Sequence, residues 1–159
     1  MALESINIET RVELAVLELL KADAAIVSSV GTAAQINVAY TYSTTGTEMV
    51  LPAIYVQMVG FTERTNRTGW YIGTLRLGAV TRKAKDKDTQ TVKNILGYLR
   101  GWVQQDDLAE QITNSVSAAP GTNQLTCTDI RLDGPTVDFS AGKINELAIE
   151  PSCLVRPSK

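Results

Sequence analysis

Three carboxylates lie close together in the sequence, at Asp106, Asp107 and Glu110, and they are the residues best placed to do chemistry. Neighbouring carboxylates can bind a divalent cation, or one can act as a general acid and another as a general base. They also lie where a helix is expected to begin, and the helix dipole favours negative charge at that end. Because the helix start accounts for them, we assign them no catalytic or metal-binding role.

A basic run joins a predicted strand to a predicted helix, and its cationic residues are Arg82, Lys83, Lys85 and Lys87. Lysine and arginine side chains supply the salt-dependent part of nucleic-acid binding, so the run could contact phosphate. Asp86 and Asp88 interrupt it. This interruption favours the interpretation of the run as a solvated connection between the two elements.

Two other patterns could bind a ligand. The segment 69–73, Gly-Trp-Tyr-Ile-Gly, contains glycines but lacks the strand-then-helix setting of a phosphate loop. Trp70, Tyr71 and Trp102 could form an aromatic binding patch. Alternation along a strand puts at least one of these rings into the core of the sheet, and helical spacing places Trp102 on an apolar stripe. Core packing is therefore the favoured interpretation.

The sequence has no histidine and only two cysteines, Cys127 and Cys153. Histidine is the commonest general base near neutral pH, and it would also be needed to complete a zinc site here. We therefore expect no enzymatic activity, and the sequence indicates no catalytic, cofactor-binding or metal-ligating residue and no cofactor. The cysteines are expected to be free thiols. A plain antiparallel pair of strands folded about Ser140 would place Cys127 opposite Cys153.

The bulk composition is that of one ordinary globular domain, and we expect residues 1–159 to form a single domain. Hydrophobic residues make up 44% of the chain and charged residues 20%, which argues against disorder and against a membrane protein. A formal net charge of -2 gives no electrostatic footprint for nucleic acid. The first residues lack the basic and apolar regions of a secretory signal, so we expect the protein to be made in the cytoplasm.

Helical spacing predicts an amphipathic helix within residues 8–30, and the residues of its apolar stripe are Ile8, Val12, Ala15, Val16 and Leu19. Asn7 is placed to cap its start, because a short side-chain oxygen can accept from the free N–H groups of the first turn. Asp23 is placed to restart a shorter helix, which Gly31 would end. Alternation then predicts a strand over residues 36–42.

A long antiparallel hairpin is predicted next. Its strands cover Pro52–Thr62 and Trp70–Thr81, and the turn Asn66-Arg67-Thr68-Gly69 leads into the second strand. The connection is too short for a parallel crossover, so the strands must be antiparallel. Alternation places Ile54, Val56 and Met58 on one face of the first strand and Tyr55, Gln57, Val59 and Phe61 on the other.

The strongest helix pattern follows Asp88, which is placed as its N-cap. The residues of its single apolar stripe are Val92, Ile95, Leu96, Leu99, Trp102 and Val103. Gly97 and Gly101 lie one turn apart within it, and glycine in an exposed helix interior costs about 1 kcal/mol relative to alanine. Either the packed helix tolerates these glycines, or they permit the close approach of a strand or a neighbouring subunit.

A further helical turn containing Leu108 and Ile112 is expected after this helix. A polar loop over residues 114–123 follows, and then two last strands, Leu125–Leu132 and Asn145–Arg156. The predicted fold class is therefore α+β. It consists of a small, mostly antiparallel β-sheet with a long hairpin, flanked by the N-terminal helix and the central amphipathic helix.

Four segments carry a resemblance to a known family, and they are Leu51-Pro52-Ala53-Ile54-Tyr55-Val56, Gly69 to Leu77, Thr91 to Leu108 with its Leu-Gly-Tyr-Leu-Arg-Gly-Trp core, and Leu154-Val155-Arg156. In the order and texture of these elements the chain resembles the tail terminator, or tail-completion, proteins of long-tailed bacteriophages. The resemblance spans most of the chain. It implies a structural protein of the virion, located in the tail or neck and assembled in the host cytoplasm.

The resemblance also implies how the protein works. The subunit would close into a hexameric ring, cap the tail tube and join it to the head. The implied partners are further copies of the chain, the tail tube protein and the neck or connector protein. DNA would pass through the ring lumen without specific binding, and no membrane would take part. Loops at residues 43–48, 114–123 and 134–143 are candidates for ordering on contact.

Two alternatives remain open. A head-to-tail neck adaptor or a tail-tube subunit would belong to the same assembly, and a tube subunit would polymerise into long cylinders. A more distant alternative is a small enzyme that uses the carboxylates Asp106, Asp107 and Glu110. Alanine substitutions at these three residues would abolish turnover in the enzyme but leave partner binding intact in a structural protein.

Overall fold

The computed structural model describes residues 8–38, 50–63, 69–115 and 125–157, which form four α-helices and one seven-stranded sheet. The fold is α+β, as the sequence predicts. In chain order the elements are α1 (Ile8–Ala22), α2 (Ala24–Val30), a short 3-10 helix (Ala33–Gln35), β1 (Ile36–Val38), β2 (Ala53–Glu63), β3 (Tyr71–Arg82), α3 (Gln90–Val103), α4 (Leu108–Asn114), β4 (Leu125–Arg131), β5 (Val137–Asp138), β6 (Ile144–Ile149) and β7 (Ser152–Pro157).

The sheet is organised around β3, which pairs with β2 on one side and with two strands, end to end, on the other. Residues 71–74 of β3 pair with β7, and residues 77–82 pair with β6. β4 then pairs with β7 and β5 with β6, while β1 runs parallel to β2. The other pairs are all antiparallel, so the prediction of a mostly antiparallel sheet is confirmed.

The stretch predicted as one last strand, Asn145–Arg156, is two strands. Pairing with β3 changes from β6 to β7 at Glu150 and Pro151, and proline lacks the N–H group that a ladder needs. The segment 134–143, predicted as a loop, contains β5, which pairs with β6. This segment is therefore tied to the sheet in the structure and is not a simple loop.

The β2–β3 hairpin is confirmed, but it contains a bulge that the sequence does not reveal. Met58 pairs with Leu75 and Gly60 with Thr74, so one residue, Val59, is extra. An extra residue moves every later side chain to the opposite face of the strand. The prediction for Phe61 was therefore wrong, because this ring lies on the same face as Met58, where it packs against the core.

α1, α3 and α4 pack on one face of the sheet, which we call the inner face, and α2 packs against α1 and α3. Buried residues of the inner face include Ile54, Val56, Leu75, Leu77 and Ala79. The stripe predicted for α3 is buried in full. In α1 the predicted residues Ile8, Val12, Ala15 and Val16 are buried, and so is Leu20, whereas the predicted Leu19 is only partly buried. Burying each large apolar side chain contributes about 1.5–3 kcal/mol, so this layer supplies much of the stability.

The break between α1 and α2 is confirmed at Asp23. Its Oδ1 accepts hydrogen bonds from the backbone N–H groups of Ala25 and Ile26, at 3.0 and 3.1 Å, as an N-cap should. Gly31 ends α2 with φ at 116°, a backbone conformation that favours glycine. The predicted cap of α1, Asn7, lies outside the described residues.

The start of α3 is held by Asp86 instead of the predicted Asp88. The Asp86 carboxylate accepts from the backbone N–H groups of Thr91 and Val92, both at 3.0 Å, and from the Thr81 hydroxyl at 2.8 Å. Asp88 accepts only a longer bond of 3.3 Å from the N–H of Gln90. A carboxylate two residues further back reaches the helix start because Thr89 takes a left-handed conformation with φ at 60°.

The opposite face of the sheet, which we call the outer face, has its own small cluster. Tyr55 lies across Gly78, and a Cβ atom at Gly78 would overlap its ring. The Tyr55 hydroxyl donates to Oε2 of Glu146 at 2.7 Å. Val80 and Ile144 pack beside them. This end of the outer face is therefore closed by side chains of the described chain.

Candidate functional site

The predicted carboxylates Asp106, Asp107 and Glu110 lie in the connection from α3 to α4 and in the first turn of α4, and all three are exposed. They do not converge on a cleft. Asp107 is at the N-cap position, but its side chain accepts no bond from the helix backbone. Its Oδ1 instead accepts from Nε2 of Gln111 at 2.9 Å. Within residues 8–38, 50–63, 69–115 and 125–157, no cluster of histidine, cysteine or carboxylate side chains could hold a metal ion.

The cations of the basic run, Arg82, Lys83, Lys85 and Lys87, are all exposed. Strand pairing brings a fifth cation near them, because the N–H of Lys83 donates to the carbonyl oxygen of Lys143 at 2.9 Å. Asp86 is buried and turned inward, so it offsets less of the outward charge than its place in the sequence indicates. Hydrogen bonds from Ser140 lower the pKa of the exposed Asp138 carboxylate, and this carboxylate lies close enough to Lys83 for the lysine charge to contribute to the lowering, so the surface at the start of α3 is basic with one acid beside it.

The candidate aromatic patch does not form. Trp102 is buried in the core, and Tyr71 stacks on Phe61 with their ring centroids 5.0 Å apart. The guanidinium carbon of Arg156 lies 4.9 Å from the ring centroid of Trp70. Gly73, the second glycine of the 69–73 segment, lies within a strand, where a Cβ would come 3.0 Å from the Met58 sulfur. Core packing of Trp102 and Tyr71 is confirmed.

The buried thiols cannot serve as nucleophiles near neutral pH. Cys127 pairs with Val155, and Cys153 with Ile130, so the prediction that Cys127 and Cys153 lie opposite each other was wrong. Both thiols are free, as predicted. Burial raises the pKa of Cys127 to about 11 and that of Cys153 to about 12. The reactive form of cysteine is the thiolate, which these pKa values suppress.

The outer face carries an exposed apolar row at the end away from Tyr55. Ile72 of β3 is 41% exposed and pairs with Leu154 of β7, which is half-buried on the same face. Val59, the bulge residue of β2, is 37% exposed and precedes Gly60, which pairs with Thr74. In β2 the residue directly opposite Ile72 is Thr62, and Val59 lies further along, at the bulge before Gly60. We call Val59, Ile72 and Leu154 the outer row.

A second open surface lies along α3. Tyr98 is 51% exposed, and a Cβ atom added at Gly97 or Gly101 would meet no atom within 4 Å. Within the described part of the chain, no strand packs closely against these glycines, so the alternative that they permit the close approach of a strand is wrong. The neighbouring subunit stays a prediction. Next to Tyr98 is a shallow depression of about 290 Å³, lined by Asp23, Ala25, Ile26, Gly97, Tyr98, Gly101, Trp102 and Gln105.

No protein-family model matches this chain, and no curated protein matches its sequence. Solved structures do: 27 chains match its fold. One of them is 11% identical, has a TM-score of 0.50, and is matched over 97% of its length by 100% of this chain. At this identity the likeness is one of fold alone. No helix among the described residues has the length and apolar character needed to cross a membrane.

Taken together, the outer row and the α3 surface are exposed features that can make contacts with another protein. The outer row and the α3 surface are rigid because both stand on strands or helices whose opposite sides are buried. Sequence reasoning missed the outer row because the bulge at Val59 is not visible as a pattern. The register of β3 with β7 reveals it, since only that register places Ile72 beside Leu154.

Proposed function

We propose that this chain is the structural subunit of a phage tail terminator, which closes as a hexameric ring, caps the tail tube and connects it to the head or neck. The outer row is the observation that carries this proposal. Val59 is exposed at the bulge of β2, Ile72 is exposed on β3, and Leu154 lies beside Ile72 on β7. Exposed apolar side chains on neighbouring strands of a sheet can form a protein–protein contact.

The work of such a protein would be done by shape. A cyclic ring uses two different surfaces on each subunit. The rotation from one subunit to the next fixes the number of copies at which the ring closes. One axial side of the ring would match the last ring of the tube, and the other would not accept another tube ring. The exposed carboxylates take no catalytic part in this account. DNA would pass through the lumen without base-specific contacts.

The assembly state tests the proposal directly. We expect native mass spectrometry and negative-stain images of the purified protein to show closed six-subunit rings. Long cylinders would indicate a tail-tube subunit instead. A protein that stays monomeric at high concentration and does not bind tail tubes would overturn the proposal.

The outer row is tested by placing a charge in it. We expect Ile72→Asp to weaken ring formation or tube capping by about tenfold or more, because a carboxylate would have to lose its water in the contact. Val50→Asp is the matched control, since Val50 is 70% exposed and does not belong to the row. Equal assembly by the two variants would show that the outer row is not part of the contact. Circular dichroism spectra of both variants should match the unmodified protein.

A further inference from the structure

Opposite charges lie at the two ends of α3. Before its first residue are the exposed cations Arg82, Lys83, Lys85 and Lys87, and after its last residue are the exposed acids Asp106, Asp107 and Glu110. The helix has 14 residues and is about 21 Å long at a rise of about 1.5 Å per residue, so the two groups lie near its opposite ends. We call them the basic end and the acidic end.

The dipole of α3 does not explain this arrangement. The dipole of α3 places partial positive charge at its start and partial negative charge at its end, so both groups oppose it. The helix start already has its own carboxylate, because Asp86 accepts from two of its backbone N–H groups. At the acidic end, Glu110 lies in the first turn of α4, whose dipole favours negative charge, whereas the Asp107 side chain does not cap that helix.

Each end also presents its charge outward. Asp88 is the only exposed acid within the run 82–88, and Asp86 is buried. At the other end Gln105 separates α3 from the acids, and Asp23 lies nearby, since it lines the same depression as Gln105. The charges of the two ends are therefore complementary, but the two groups lie at opposite ends of the same helix and cannot pair within one subunit.

We propose that a second copy of this chain docks head-to-tail, with the basic end of one subunit against the acidic end of the next. The proposal rests on the terminator ring proposed above and names its lateral contact. A ring needs two different complementary surfaces per subunit, and these two ends supply them. The dipoles of successive α3 helices would also lie head-to-tail, so each helix end would meet the opposite partial charge.

Charge exchange between the ends gives a specific test. We expect Lys85→Glu/Lys87→Glu and Asp106→Lys/Glu110→Lys each to abolish rings when alone, because like charges would then meet at every contact. Mixed together, the two variants should form six-subunit rings with three copies of each, since every contact is again between opposite charges. Native mass spectrometry separates these species by mass. Lys21→Glu/Arg131→Glu is the control for the lysine variant, because it makes the same change in net charge at residues outside both groups, and it should assemble normally.

Other outcomes are equally informative. Rings that survive both reversals would overturn the head-to-tail contact and leave the terminator proposal standing, whereas absence of rings in the unmodified protein would overturn the terminator proposal itself. Antiparallel packing of two α3 helices would also join unlike ends, but it would give a one-to-one dimer and would bury Tyr98. Tyr98→Lys distinguishes this case, because it should leave head-to-tail rings intact. Loss of assembly in Tyr98→Lys would overturn the proposal.

Discussion

Replacing the buried cap of α3 should destabilise this protein strongly. Asp86→Ala removes three hydrogen bonds, from the N–H groups of Thr91 and Val92 and from the hydroxyl of Thr81. Loss of an N-cap alone costs about 0.5–2 kcal/mol, and buried donors without an acceptor cost about 1–3 kcal/mol. These two contributions overlap, so we expect the free energy of unfolding to fall by about 2–4 kcal/mol.

Equilibrium unfolding in urea measures this loss as a lower midpoint at an unchanged slope. Asp88→Ala is the matched control, because Asp88 is exposed and accepts a single 3.3 Å bond, and it should change the free energy of unfolding by less than about 0.5 kcal/mol. If Asp86→Ala lost no more than this control, the assignment of the cap would be wrong. Asp86→Asn, which keeps one acceptor oxygen, should fall between the two.

The same carboxylate predicts a pH dependence. Burial raises the pKa of Asp86, but its hydrogen bonds from Thr81, Thr91 and Val92 outweigh this, and the pKa is lowered overall. A lowered pKa in the folded state means that the unfolded state binds the proton more readily, so the stabilising effect is present above the ordinary aspartate value and is lost as pH falls below it. The unmodified protein should therefore lose more stability than Asp86→Asn does as pH falls below about 4 and through the lowered pKa.

Three further substitutions test the packing described above. Gly78→Ala should destabilise the protein by about 1–3 kcal/mol in thermal or urea unfolding, because its Cβ would overlap the Tyr55 ring; an unchanged midpoint would contradict that contact. Gly101→Ala should stabilise it by about 0.5–1 kcal/mol, because the added Cβ meets no atom within 4 Å, and a loss of stability would mean that this position is covered. Burial raises the pKa of Glu13, more than the bond from the Met58 N–H lowers it, so folding disfavours its charged form. Glu13→Gln should therefore be more stable than the unmodified protein at pH 7, with the difference disappearing as pH falls through the raised pKa, and a difference that grows toward acid pH would refute this.

The sequence predicts the parts of this fold in which a pattern repeats over many residues. The stripe from Val92 to Val103 and the hairpin strands are of this kind, because each added residue on the right face strengthens the same conclusion. The positions that sequence reasoning misses depend on a single residue. Val59 adds a bulge without disturbing the β-rich composition, and Thr89 turns the chain so that Asp86 caps α3.

The contact surfaces were harder still to predict, because they depend on which strands become neighbours. Ile72 and Leu154 are 82 positions apart and become a pair only when β7 adds to β3. The break at Pro151 decides this pairing, since it lets one long strand hold two shorter ones end to end. The carboxylates 106–110 show the converse case. Their types and spacing suggest chemistry, but the structure leaves them exposed and apart from any cleft.

The proposed lateral contact depends on α3 being fixed in the subunit. Six buried side chains hold this helix on the sheet. Its start is tied to β3 because the Asp86 carboxylate accepts from the Thr81 hydroxyl. It is tied to β6 because the Asn145 side chain donates to the Asp86 carbonyl oxygen at 2.9 Å. The basic and acidic ends therefore keep a constant separation and angle. A ring closes at a fixed number of copies only if that angle is constant, because a flexible joint would also permit open chains. Loosening the helix start by Asp86→Ala should consequently broaden the distribution of assembly sizes at temperatures where the subunit is still folded, which mass photometry can measure. If the size distribution stayed narrow while stability fell, the cap would not determine the geometry of assembly.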